Sequence, residues 1–236
     1  MTGIRIAGTG RYVPPLTVDN NAFAAFLDTS DEWIRSRTGI VTRHISDGEP
    51  SWYMGLQAAR QALEAAGISG QQLGLIIDTT VTPDYVTPAT ACVIQRELGA
   101  VNAMAFDVNS ACTGFVCGVD MAARYLATDP ELSYVLVVSN ENLSRITDFS
   151  DRSSCILFGD GAAAAVVECR EGWPSIGAVL GSRGDDVLLR LPGLGRGEPN
   201  VLSMEGTQVF KFAVETVPAC MDATLKNCLL YTSDAA

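Results

Sequence analysis

Phe106-Asp107-Val108-Asn109-Ser110-Ala111-Cys112-Thr113-Gly114-Phe115 joins a short apolar run to an amphipathic one. Residues 103–108 read as a buried strand. From about Thr113 to Ala127, the residues Phe115, Val116, Val119, Ala122, Ala123 and Leu126 recur at helical spacing and form one apolar face. The chain therefore passes from strand to helix at Cys112. A thiol at a helix N-terminus meets the positive end of the helix dipole, which favours the thiolate, the nucleophilic form. Ser110, Ala111 and Gly114 are small enough to leave room beside it for a substrate carbonyl. A buried structural cysteine is the competing reading, since free cysteines are among the most buried residues.

Outward from this junction, strand and helix patterns alternate. Ile4 to Gly8 reads as a first strand. Ser51 is placed to cap a helix that runs to about Ala66 and closes at Gly67, with Met54, Ala58, Ala62, Leu63 and Ala66 as its apolar stripe. Residues 73–79 form a near-continuous apolar strand. Thr87-Pro88 opens a helix ending at Leu98-Gly99, because proline at the start of a helix loses no needed N–H. Residues 134–139 are another buried strand, and residues 155–168 read as a hairpin turning at Asp160-Gly161. Strands apolar on both faces, alternating with helices, imply an α/β sandwich whose sheet is covered on both sides. Residues 193–200 (GLGRGEPN) form a polar, glycine-rich loop.

Composition narrows the function classes. The chain has 236 residues, 47% hydrophobic and 18% charged, as expected of an ordered globular protein. No stretch approaches a membrane span, and no basic, then apolar, leader opens the chain. The seven cysteines are an odd number without metal-site spacing, which points to reduced thiols in the cytoplasm. A formal net charge of −11 argues against nucleic acid as a partner. Gly8-Thr9-Gly10 follows a strand but lacks the third glycine of a dinucleotide fingerprint, position 13 being Val13, and Gly159-Asp160-Gly161 does not precede a helix. A nicotinamide-binding site is set aside on that ground.

Asp28-Thr29-Ser30-Asp31-Glu32-Trp33-Ile34, Arg37-Thr38-Gly39-Ile40, Arg43-His44-Ile45, Ala111-Cys112-Thr113-Gly114-Phe115, Phe158-Gly159-Asp160-Gly161-Ala162 and residues 204–211 (MEGTQVFK) resemble, in order and spacing, the blocks of the β-ketoacyl-acyl carrier protein synthase III family. The resemblance runs from about Ile4 to Leu225. It implies a thiolase-like layered α/β/α/β/α sandwich with its N-terminal half complete (1–170) and its C-terminal half begun but truncated (171–227). Residues 228–236 do not resemble the family and read as a non-native tail. Such a truncation is expected to remove strands and expose apolar faces.

The resemblance also implies chemistry. Cys112 would carry the acyl group from an acyl-CoA primer, acetyl-CoA in the simplest case, onto malonyl-acyl carrier protein. No cofactor is expected beyond the substrate acyl-CoA. Trp33 and Arg152 would stack on the CoA adenine, with Arg37, Thr29, Gly206 and Thr207 also binding CoA. Leu143, Phe158, Leu189 and Leu202 would line the acyl pocket. Thr87 stands where many members carry a phenylalanine that reaches into the partner subunit. Lys211, one of two lysines, would dock the carrier, and the family forms homodimers. The family's catalytic histidine and asparagine motifs are missing: the sole histidine, His44, belongs to a different block and reads as structural. Two alternatives stand beside this reading. One is a related thiolase-fold acyltransferase, of secondary metabolism or of the 3-hydroxy-3-methylglutaryl-CoA synthase type. The other is a non-catalytic acyl-CoA-binding fragment.

Overall fold

The computed structural model describes residues 2–172, 177–193 and 199–227. In chain order the elements are β1 (Thr2–Tyr12), β2 (Leu16–Asp19), α1 (Asn20–Ala24), α2 (Asp31–Thr38), β3 (Thr42–Ile45), α3 (Ser51–Ala66), β4 (Leu75–Thr79), α4 (Thr90–Leu98), β5 (Met104–Val108), α5 (Gly114–Thr128), β6 (Tyr134–Asn142), α6 (Arg152–Cys155), β7 (Asp160–Glu171), β8 (Leu189–Arg190), β9 (Ser203–Met204) and α7 (Gly206–Asn227). They fall into two units. The first holds Met1–Asp19, Thr42–Ser144 and Gly159–Ser175; the second holds Asn20–Val41, Arg145–Phe158 and Ile176–Ala236. The expected tail at 228–236, and residues 194–198 of the glycine-rich loop, lie outside the described residues.

The first unit is built on a five-stranded mixed sheet, ordered β1-β7-β6-β4-β5. β4 pairs in parallel with both β5 and β6, while β7 runs antiparallel between β6 and β1. The central strands read as continuous apolar runs because both faces are covered. On one face Ile76, Leu136, Val138 and Val166 meet Ala58, Ala59, Ala62 and Leu63 of α3 and Ala91 and Ile94 of α4. On the other, Leu75, Ile77, Val135 and Val137 meet Ala122 and Leu126 of α5. Each large aliphatic side chain buried in this way contributes about 1.5–3 kcal/mol.

Gly8 and Gly10 have a packing role. A Cβ on either would stand 2.3 Å from the Ala62 carbonyl or 2.1 Å from that of Ala58, so α3 lies directly on the β1 backbone. This accounts for the glycine pair that superficially resembles part of a nucleotide fingerprint.

Three local expectations are corrected. Pro50, not Ser51, is the N-cap of α3, and the Ser51 hydroxyl instead donates to the Thr82 carbonyl at 2.8 Å. The hairpin at Asp160-Gly161 is absent: Cys155 ends α6, and Asp160 starts β7, paired with Asn142. The Asp160 carboxylate accepts from the Ser144 N–H (2.8 Å) and hydroxyl (2.6 Å) and from the Ser46 N–H (2.7 Å), so it ties loops together rather than turning a corner. The buried face of α5 is Gly114, Gly118, Ala122 and Leu126, whereas Phe115 and Val116 point outward.

A polar cluster crosses the α3–α4 side of the sheet. Asp78, the fourth of the five residues of β4, is fully buried beside Asp107 on β5. Asn140 on β6 donates to its Oδ1 at 2.5 Å, while Asp78 Oδ2 and Asn140 Oδ1 have no partner. Burial, and then the charges of Asp107, Glu141 and Asp84, hold the Asp78 carboxyl well above the usual carboxylate range, against the opposing Asn140 hydrogen bond. Once protonated, Asp78 can donate where Asn140 Oδ1 can accept, which satisfies both orphan atoms in one acid–amide pair.

In the second unit, α1, the segment that follows it and the segment before α6 share an aromatic cluster of Phe23, Phe26 and Phe149. β8 and β9 pair, and the Leu202 N–H donates to the Ile146 carbonyl at 2.7 Å. α7 buries no residue, and Phe210, Val214, Val217 and Met221 on it are exposed.

The native state thus keeps a proton on Asp78 that an unfolded chain releases near pH 4. Its stability contribution is full below that value and is lost as the pH rises toward the raised native value. Replacing Asp78→Asn supplies the same paired donor and acceptor without a charge to bury. The melting temperature of the variant should match the wild type near pH 4.5 and exceed it increasingly toward pH 8. A difference that stays constant across that range would contradict the account.

Candidate active site

The nucleophile candidate sits where the sheet hands the chain to α5. β5 ends at Val108, and residues 111–113 form a single 3₁₀ turn before α5 begins at Gly114. The turn is held by Ser110, whose carbonyl accepts from the Thr113 N–H at 3.2 Å and from its hydroxyl at 2.9 Å. Cys112 projects from this turn and is exposed. Ala111 before it has φ 44°, the one described non-glycine residue with positive φ. A Cβ in that region costs about 1–2 kcal/mol. Such strain persists only where surrounding structure imposes it, and it clusters at functional sites.

What imposes it is the seating of α5. A Cβ on Gly118 would lie 2.8 Å from Val137 Cγ1, and one on Gly114 would lie 3.0 Å from the Thr79 Cβ. The helix therefore starts in near-contact with β4 and β6. Beneath it the Thr79 hydroxyl donates to the Val138 carbonyl at 3.1 Å and pairs with the Ser139 hydroxyl. Cys117 lies one turn further along, its Sγ 4.0 Å from Thr113 Oγ1, and Cys155 is buried. Among the described cysteines, Cys112 is the exposed one.

Thr87 and Leu143 belong to the same unit as Cys112. Thr87 is exposed in the segment between β4 and α4, next to a cis peptide at Thr87–Pro88, and Leu143 is half-buried just after β6. Thr29, Trp33, Arg37, Arg152, Phe158, Leu189, Leu202, Gly206, Thr207 and Lys211 all belong to the second unit.

Within that unit one predicted group comes together. The Arg37 guanidinium carbon lies 4.8 Å, and that of Arg152 5.0 Å, from the centre of the Trp33 ring. The Arg152 Nη1 also donates to the Asp28 carbonyl at 2.6 Å. The helix under Trp33 is firmly capped. Ser30 Oγ accepts from the Trp33 N–H at 3.1 Å, and Asp31 accepts from Arg35 and from Asn20, contacts that hold its carboxyl below the usual range. Phe158, Leu189 and Leu202 are half-buried, while Gly206, Thr207 and Lys211 lie exposed at the start of α7.

His44 pairs with Thr17 across the β2–β3 ladder, and its Nδ1 lies 2.6 Å from the Pro14 carbonyl, to which it donates. Among the described residues no cluster of His, Cys, Asp and Glu could hold a metal ion. No helix among them is long and apolar enough to cross a membrane. Sequence reading passed over the Asp78–Asn140–Asp107–Glu141 cluster, although an aspartate inside an apolar strand was its visible signal.

The family model for 3-oxoacyl-[acyl-carrier-protein (ACP)] synthase III matches residues 106–184. The β-ketoacyl-[acyl-carrier-protein] synthase III of Clostridium kluyveri is 40% identical over 236 residues, an alignment covering 96% of this chain and 73% of that protein. The crystal structure of 3-oxoacyl-[acyl-carrier-protein] synthase III from Aquifex aeolicus superposes with a TM-score of 0.90 at 38% identity, covering 96% of this chain and 72% of that one. The priming β-ketosynthase of the R1128 polyketide biosynthetic pathway gives a TM-score of 0.90 at 35% identity, over 96% of this chain and 70% of the other. A two-faced mixed sheet with a cysteine on the turn into α5 places the protein among the condensing enzymes of thiolase-like fold. Within that class the chain belongs to the β-ketoacyl-acyl carrier protein synthase III family.

If the α5 seating imposes the Ala111 conformation, substitutions there should rank by their tolerance of positive φ. Ala111→Gly should be neutral or stabilising by up to about 1 kcal/mol, since relief of strain is partly offset by unfolded-state entropy. Ala111→Val should destabilise by about 1–2 kcal/mol. Urea midpoints read both, and a valine variant as stable as the glycine variant would contradict the assignment of strain.

Proposed function

We propose that Cys112 accepts an acyl group from an acyl-CoA and delivers it to malonyl-acyl carrier protein, with acetyl-CoA as the primer. The exposed thiol behind the strained Ala111 carries this reading. The Cys112 sulfur attacks the thioester carbonyl, its own backbone N–H helps to hold the oxyanion, and CoA thiolate leaves as the acyl-cysteine forms. In the second half-reaction the malonyl thioester loses carbon dioxide. The resulting enolate carbon bonds to the acyl carbonyl carbon, and the Cys112 thiolate is released.

The remaining assignments are part of the same proposal. Trp33, Arg37 and Arg152, with Thr29, Gly206 and Thr207, form the CoA site. Thr87 and Leu143 shape the acyl pocket, and Lys211 docks the carrier. The Trp33 cluster supports the first of these, because indole and guanidinium planes both stack on a base. A base between Trp33 and Arg152 requires about 7 Å, two carbon contact distances, so the 5.0 Å spacing must open on binding. β5 is an edge of the sheet among the described residues, which supports a homodimer paired through that strand. The similarity to the R1128 priming ketosynthase favours, as a second reading, a starter enzyme of secondary metabolism that uses the same cysteine.

Intact-mass spectrometry after incubation with acetyl-CoA should find one acetyl group, on Cys112, and none after Cys112→Ser, because a hydroxyl is a far weaker nucleophile than a thiolate. Label on Cys117 or Cys155 instead would overturn the reading. Trp33→Ala should weaken acyl-CoA binding by about 1–3 kcal/mol, the range for a base stacked on an aromatic ring, and leave transfer from short thioesters without a nucleotide nearly intact. Equal losses with both donors would make Trp33 structural.

Condensation requires donors for the enolate, and His44, held by Pro14, is not assigned to that role. These 236 residues should therefore release no carbon dioxide from malonyl-acyl carrier protein, even when Cys112 is acylated. Release at a rate matching that of a family member with the histidine and asparagine motifs would refute this part of the proposal.

A further inference from the structure

We infer that Asp107 is a positioning residue: it locks the segment bearing Thr87 to the strand that delivers Cys112, and so sets which acyl groups reach the thiol. The inference rests on the proposed roles of Cys112 as acyl acceptor and Thr87 as a wall of the acyl pocket.

The segment between β4 and α4 (residues 80–89) is fastened at both ends. At its start, Glu141 accepts from the Val81 N–H at 2.9 Å and from the Thr82 hydroxyl at 2.6 Å. The Ser51 hydroxyl holds the Thr82 carbonyl, and Asp84 accepts from the Trp52 N–H at 2.9 Å. At its far end the segment has no local fastening. Ala89 is the N-cap of α4, and alanine offers no side-chain acceptor to the first N–H groups of the helix. Those groups turn to the neighbouring strand instead. Thr90 N–H donates to Asp107 Oδ2 at 2.7 Å, and Ala91 N–H donates to Asp107 Oδ1 at 2.8 Å.

Both oxygens of one carboxylate are thus spent on one helix start, where the helix dipole adds to two charge-assisted bonds. Asp107 is also the penultimate residue of β5, on the strand that leads through Val108, Asn109 and Ser110 to the turn carrying Cys112. This side chain therefore ties the start of α4, and with it the end of the Thr87 segment, to the nucleophile's strand; the Cys92 Sγ–Ala105 carbonyl (3.6 Å) and Gln95 Nε2–Ala103 carbonyl (2.7 Å) bonds hold only the later part of the helix. The body of α4 is held independently, by Ala91 and Ile94 in the core, so loss of the clamp should shift the helix start and the Thr87 segment without unpacking the helix. Displacements near 1 Å are enough to change transfer rates substantially.

The test uses two variants that cut the clamp from opposite sides. Asp107→Asn removes one of its two acceptors. Thr90→Pro removes one of its two donors, at a first helical position where proline is well tolerated. Rates of Cys112 acylation are measured with acetyl-CoA and octanoyl-CoA, and alkylation by iodoacetamide reports access to the thiol. The acetyl-to-octanoyl rate ratio should move by about fivefold or more in both variants, with alkylation within about twofold of wild type. If the wild-type ratio persists in either folded variant, with both rates falling together, Asp107 is only structural and the inference is overturned while the acyl-acceptor reading stands. Loss of fold in both variants overturns it as well. If neither acyl-CoA labels wild-type Cys112, the acyl-acceptor reading fails and takes this inference with it.

Discussion

The contact between α5 and the sheet at Gly118 governs the geometry of the site. With only hydrogen at that position, the helix axis drops onto Val137 and Thr79 until no Cβ could fit. The turn that joins β5 to α5 must then be short, and the chain meets that demand by placing Ala111 in a left-handed conformation and Cys112 at the exposed apex. The thiol's position follows from how closely a helix can approach a strand. Protein interiors transmit such constraints because they are close-packed and deform little.

The opposite face of the sheet shows how a buried polar cluster can be made compatible with a folded core. Asp107, Glu141 and Asp78 lie close enough for their charges to interact. Asp107 receives two backbone N–H groups and Glu141 receives one N–H and two hydroxyls, whereas Asp78 receives only the Asn140 amide. Burial raises the carboxyls of both Asp78 and Glu141; at Glu141 the Thr82 and Val81 donors oppose it, and at Asp78, which is completely buried, only the Asn140 amide does. Charges left in a core without donors cost several kcal/mol each, so this allocation of donors determines whether the cluster is tolerable. The same groups tie the segment bearing Thr87 into the sheet, which links a requirement of folding to the shape of the proposed pocket.

Much of this was legible in the residues, and the failures have physical causes. The apolar runs at 73–79 and 134–139 located the central strands, because strands covered on both faces have little choice of side chain, and the run at 103–108 located the edge strand β5. Trp33, Arg37 and Arg152 were grouped by resemblance, and they do cluster around one ring. Asp160-Gly161 misled because the pair has the composition of a tight turn, whereas the Asp160 carboxylate is spent on Ser46 and Ser144. The face of α5 was misjudged because periodicity rewards large apolar residues, and here the closest contacts are made by glycines. The Asp107 clamp was invisible to local reading, since its donors lie on another element and a backbone N–H has no sequence signature.

The central claim is that geometry, and not exposure alone, makes Cys112 an acyl acceptor. Gly118→Val tests it most directly, because the added side chain meets Val137 within 2.8 Å and must lift the helix while leaving the thiol in solvent. The quantity to measure is the ratio of acetylation by acetyl-CoA to alkylation by iodoacetamide at Cys112. The account predicts that this ratio falls by about tenfold or more, with alkylation nearly unchanged. A ratio equal to that of the wild type would mean that the seating of α5 does not set the reactivity of the site.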